Sequence, residues 1–127
     1  MDRPEHHPGL APTPGYLYAQ QVADQLFVAG QVPLAEDGTL VGKDDAQAQA
    51  HQCLHNLFSL IEQHGFAATD IRQLTIYVVG DGVRLVAAWE AVRGWFDAAV
   101  PPATLLGVAT LGYEGQLVEV GAVVLRG

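Results

Sequence analysis

The chain has little of several things, and each shortage excludes something. It contains one cysteine, Cys53, in 127 residues. No internal disulfide can form, and a reducing compartment is expected. Lysine and arginine total six against fourteen acidic residues, a formal charge of −8. The six are Arg3, Lys43, Arg72, Arg84, Arg93 and Arg126, with no two adjacent. Binding to a phosphate backbone gains from clustered cations, so nucleic acid is not an expected partner. No window reaches the roughly 18 uninterrupted apolar residues of a membrane span, and the first residues hold no apolar signal core. No membrane partner is expected, and a cytoplasmic location follows. Ser59 is the only serine and lies inside a helical pattern, so no nucleophile elbow exists. Phosphate-cradling glycine loops, GxxxxGK[ST] or GxGxxG, are also missing.

What remains is a folded chain of one domain. Half of its residues are hydrophobic, enough for a single core. Residues 1–15 are rich in Pro and His and read as an extended N-terminal arm; residues 16–127 read as the domain. Strands are expected at Tyr16 to Val22 and Leu26 to Leu34, with a turn at Ala35 to Gly38. Gly30 interrupts an apolar run, which points to a bulge or a close backbone approach. Asp44-Asp45 caps a helix from about Ala46 to His64, closed by Gly65. Ile71 to Val79 is a strand. A second helix runs from about Val83 to Ala99, with Leu85, Trp89, Val92 and Phe96 on one face, and Pro101-Pro102 ends it. Strands follow at Thr104 to Leu111 and Gln116 to Leu125. The class is α+β, in the order β-β-α-β-α-β-β.

Two strands, LFVAGQVPL and QLVEVGAVVL, are apolar on both faces, which implies cover on both. Two helices cover only one face of such a sheet. Another copy of the chain is the simplest cover for the other, so a homo-oligomer is expected.

Glu119 breaks the most apolar run. A carboxylate there is either exposed at a rim or buried on purpose, and a buried one suits acid–base chemistry. His51 and His55 share a helix face at i, i+4, but the glutamate of a zinc-binding HExxH is absent; they read as a solvated pair, and no metal is expected. Cys53 falls on the apolar stripe and reads as a buried structural thiol. Trp89 reads as core and Trp95 as interfacial.

Several stretches taken together resemble the Rid family (YjgF/RidA, also called endoribonuclease L-PSP). They are Pro14 to Gln20 (PGYLYAQ), Leu26 to Pro33 (LFVAGQVP), Gln49 to Gly65 (QAHQCLHNLFSLIEQHG), Asp70 to Val79 (DIRQLTIYVV) and Leu117 to Val120 (LVEV). The resemblance implies a chorismate-mutase-like fold, sheet packed on two helices, assembled as a homotrimer around a central barrel. It implies clefts between subunits that bind a small molecule without a cofactor. In the founding subgroup these clefts hydrolyse enamines and imines such as 2-aminoacrylate. Carried over by position, the family's glutamate is Glu119 and its first-strand tyrosine Tyr18. Ala29, Gly30 and Gln31 form the glycine–glutamine turn beside the ligand. Ala103, Thr104 and Leu105 fill the segment that carries an arginine clamp for the substrate carboxylate. Aligned on Gly107-Val108-Ala109, Ala103 stands where the arginine belongs; with a one-residue deletion it is Thr104. Neither is a cation, and losing a charge-assisted clamp costs roughly 2–5 kcal/mol of binding. Weak or absent activity on small 2-imino acids follows. Two functions stay open: a deaminase-like hydrolase or tautomerase with a non-standard substrate, and a non-catalytic metabolite-binding module. A ribonuclease is disfavoured by the acidic charge.

Overall fold

A computed structural model describes residues 6–127. Its elements are β1 (Ala19–Val22), β2 (Gln25–Val28), α1 (Ala46–Gln63), β3 (Ile71–Val79), α2 (Gly82–Trp95), β4 (Ala103–Val108) and β5 (Val118–Leu125), with a 3-10 turn at Ala68–Asp70. The α+β order agrees with the sequence reading. One five-stranded sheet has the order β1-β2-β5-β3-β4. β3 and β4 are parallel, joined through α2, and the other neighbours are antiparallel. No helix among the described residues is long and apolar enough to cross a membrane.

Strand alternation sorts side chains to two faces. Leu26, Leu74, Ile76, Val78, Val118, Val120 and Val124 pack with Leu54, Leu57, Leu60 and Ile61 of α1 and Ala88, Ala91 and Val92 of α2 in one buried cluster. Among the described residues no layer lies over the opposite face. Strand register puts Val22, Phe27, Leu106, Val123 and Leu125 there with Glu119. Phe27 is 52% exposed and Val22 58%.

Several boundaries differ from the sequence expectation. The first strand begins at Ala19, not Tyr16, and the second stops at Val28, where the Ala29-Gly30 bend breaks the ladder. The pairing resumes as a single bridge between Gln31 and Val120. α1 starts after Asp45, whose side chain accepts from Ala48 N. It closes at Gly65, which has φ +81°. α2 ends at Trp95, well before the prolines, because Asp97 and Ala98 turn left-handed at φ +50° and +64°. The last strand begins at Val118, since Tyr113 to Gln116 are held in a turn.

Buried amides of α1 clamp the loops. Gln49 donates to Gly42 O and Gly115 O and accepts from Leu117 N. Asn56 donates to Val32 O and Leu34 O. Both residues are buried, on a side of α1 that faces the loops. Loop backbone covers that side instead of water, and the amides hydrogen-bond to it in water's place.

Candidate functional site

Glu119 sits near the start of β5 on the uncovered face, paired across the ladder with Tyr77. It is half-buried. Gln116 Nε2 donates to Glu119 Oε1 at 3.2 Å and to Val118 O at 3.0 Å. Gln116 is itself buried and accepts from Tyr113 N, so the turn before β5 orients the carboxylate. The other oxygen lies over Gly30: a Cβ built there would stand 2.1 Å from Glu119 Oε2. This is the close approach expected of that glycine. Glu119 borders a groove of about 280 Å³ with Gly30, Gln73, Thr75, Tyr77 and Gly121 among its walls. A carboxylate with one anchored oxygen beside neutral hydrogen-bonding side chains can accept and return a proton.

The other expected site residues are distributed unevenly. Ala29 N donates to Tyr18 O, and Ala29 O accepts from Gln31 Nε2. Gln31 is buried, and its Oε1 has no hydrogen-bond partner among the described residues. Tyr18 is turned away from the groove: its hydroxyl donates to Ala11 O at 2.6 Å, and its ring meets His7 edge-on. Ala103, Thr104 and Leu105 form the start of β4, opposite Leu74, Thr75 and Ile76. Within one chain Thr104 stands two strands and two residues from Glu119, about 12 Å by strand spacing. One protomer therefore does not join this segment to the carboxylate.

Four residues near Glu119 were not singled out from the sequence: Tyr16, Tyr77, Tyr113 and Gln116. The Tyr16 and Tyr113 hydroxyls are 3.0 Å apart. Burial pushes the Tyr16 phenol well above its ordinary value, the hydrogen bond to Tyr113 adds to this, and the Glu119 charge contributes. The alternation of Gln73, Thr75 and Tyr77 against Leu74, Ile76 and Val78 is the signal that marks Tyr77 as lining this face. Cys53 is buried beneath, its thiol donating to Val118 O; burial first and the Glu119 charge second raise its pKa and keep it neutral. His51 and His55 are exposed, and Trp95 Nε1 donates to His51 Nδ1 at 2.8 Å. Trp89 and Trp95 are half-buried against the core. Among the described residues no group of three His, Cys, Asp or Glu converges on a metal position.

A model of the family described as endoribonuclease L-PSP matches residues 8–126. The chain belongs to this family. It is 31% identical over 120 residues to a RutC family protein of Pyrococcus horikoshii, covering 91% of this chain and 92% of that one. It is 26% identical over 113 residues to the 2-iminobutanoate/2-iminopropanoate deaminase of Salmonella typhimurium, covering 87% of each. Among solved structures, Escherichia coli TdcF with bound serine superposes with a TM-score of 0.85, at 22% identity and full coverage of both chains. The structure of RidA from an Antarctic Psychrobacter gives 0.84 at 19% identity, covering 98% of this chain and 100% of that one. The family shares the α+β fold found here, and the similarity to the deaminases is distant.

Proposed function

We propose that the chain is a cytoplasmic Rid-family protein that forms a homotrimer and binds a small metabolite in clefts between subunits. In this reading it acts on a C–N bond as an enamine/imine deaminase-like hydrolase. The observation that carries the reading is Glu119, held by Gln116 over Gly30 on a sheet face that none of the described residues layers over. The apolar side chains around it, Phe27, Leu106, Val123 and Leu125, favour burial against other copies. A second copy also supplies a way to bring Ala103, Thr104 and Leu105 to a carboxylate that their own chain holds about 12 Å off.

The chemistry asks little of the protein beyond a placed base. A protonated imine is attacked by water at its carbon. Glu119 takes the proton from that water as the C–O bond forms, then passes it to nitrogen. The C–N bond breaks as Glu119 takes the proton of the new hydroxyl, ammonia leaves, the ketone remains, and Glu119 returns that proton to ammonia or to solvent. Ala29, Gly30 and Gln31 wall the ligand. We assign the tyrosine contact to Tyr16, because the Tyr18 hydroxyl is engaged by Ala11. With Ala103 in the arginine's place, the substrate is a larger or less acidic enamine or imine than a 2-imino acid.

The test is ammonia release across matched enamines, with and without a carboxylate, for the wild type and Glu119→Gln. The expected result is turnover of uncharged substrates, little with 2-aminoacrylate, and a loss of roughly 10²-fold in Glu119→Gln. If Glu119→Gln shifts ligand affinity but changes no turnover, the non-catalytic metabolite-binding reading replaces this one.

A further inference from the structure

The molecule carries a second cavity, at the opposite end of the sheet from Glu119. It has a volume of about 350 Å³. Its walls are Phe58 of α1, Ile71 at the start of β3, Trp95 and Phe96 at the end of α2, and Pro101. Ile71 pairs with Val124 and Tyr77 with Glu119, so the two sites are separated by six residues of strand, about 20 Å. They also lie on different faces, because this cavity is on the helix side.

Three half-buried aromatic rings meet here. Phe58 lies 5.0 Å from Trp95 and 5.5 Å from Phe96, centroid to centroid, with tilted planes. The charged group among the lining residues is Asp97, with Thr69 as a neutral polar one. Asp97 and Ala98 both hold positive φ, an arrangement costly for residues with a Cβ. That bend closes the segment between α2 and Pro101 around the cavity. Among the described residues the Asp97 carboxylate has no hydrogen-bond or ion-pair partner, and the nearest cation on its helix, Arg93, is drawn to Glu90 at 3.5 Å. The C-terminal end of α2 adds partial negative charge at the same place. The whole chain, at −8, repels anions from it.

We propose that this cavity is a second small-molecule site, selective for an organic cation with an apolar body, such as a primary amine carrying an aromatic group. The aromatic walls take the body and offer ring faces to the cation, and Asp97 takes the charge. The size is that of a small ligand site.

The test is a titration of the whole protein with phenethylamine, phenethyl alcohol and phenylacetate, followed by amide and indole NMR shifts. The Trp95 indole N–H, bonded to His51, and the Thr69 and Phe96 amides are the reporters. Saturable shifts with the amine are expected, binding about tenfold tighter than the alcohol, with none from the acid. Asp97→Asn, a residue suited to the left-handed bend, should weaken the amine about fivefold and leave the alcohol unchanged. Phe58→Ala should abolish both. Equal binding of amine and alcohol, an unchanged amine affinity in Asp97→Asn, or no shifts at millimolar amine would each overturn the proposal. Ammonia release at the Glu119 site is unaffected by Asp97→Asn, so failure here is distinct from failure there.

Discussion

At the scale of single residues, the contact between Gly30 and Glu119 makes the sharpest statement. Gly30→Ala should push the carboxylate off Gln116, because the added carbon falls inside the van der Waals radius of Oε2. Turnover should fall to the level of Glu119→Gln while the thermal midpoint moves by only a few degrees; calorimetry beside an ammonia assay checks both. Ala103→Arg should do the opposite for one substrate class, raising kcat/KM for 2-imino acids by one to two orders of magnitude, about 1.4 kcal/mol for each tenfold. Tyr16 sets a pH signature. Its phenol is held above the ordinary value of 10.0. The folded state thus keeps the proton where the unfolded chain loses it. The stability this represents is intact below about pH 10 and declines as the pH rises beyond it. Urea midpoints across this range should flatten in Tyr16→Phe. Gly30 and Glu119 were both legible in the sequence, one as a glycine inside an apolar run and the other as a carboxylate inside one. The tyrosine was not. Tyr16 and Tyr18 are two residues apart and read as sharing a strand face. Only the late start of β1, at Ala19, frees Tyr16 to swing toward Tyr113 while Tyr18 goes to Ala11.

At the scale of elements, the helices were readable because their apolar periods and their caps agree. Asp45 and Gly65 close α1 where the sequence places them. The end of α2 was not readable, because left-handed Asp97 and Ala98 stop it before any proline acts, and neither residue type announces that. The buried amides were missed for a related reason. Gln49 and Asn56 count as polar in a periodicity, and only the folded loops show what they bond. Gln49→Ala should therefore cost about 2–4 kcal/mol, since it leaves buried Leu117 N and also Gly115 O without their partner, while Gly42 O keeps its bond from Asp45 N. Asp45→Ala should cost about 1 kcal/mol through the lost cap. Urea denaturation with unchanged m-values separates the two.

At the scale of the whole molecule, the proposed assembly rests on strands that are apolar on both sides. The register assigns the Glu119 face of the sheet to Phe27, Val123 and Leu125. Phe27→Glu should therefore shift the protein toward monomers in sedimentation, with ammonia release lost in the same variant. A chain that is monomeric as wild type would contradict the subunit clefts. The strand order carries one more consequence, in time and not in space. β5 is the last strand in chain order, yet it lies in the middle of the sheet between β2 and β3. Until it emerges during synthesis, the β1–β2 hairpin and the β3-α2-β4 unit have no common sheet, and each presents an open edge. Folding of the sheet must wait for the final strand, and a chain stopped before Val118 should leave two unjoined, aggregation-prone halves instead of a slightly shorter domain.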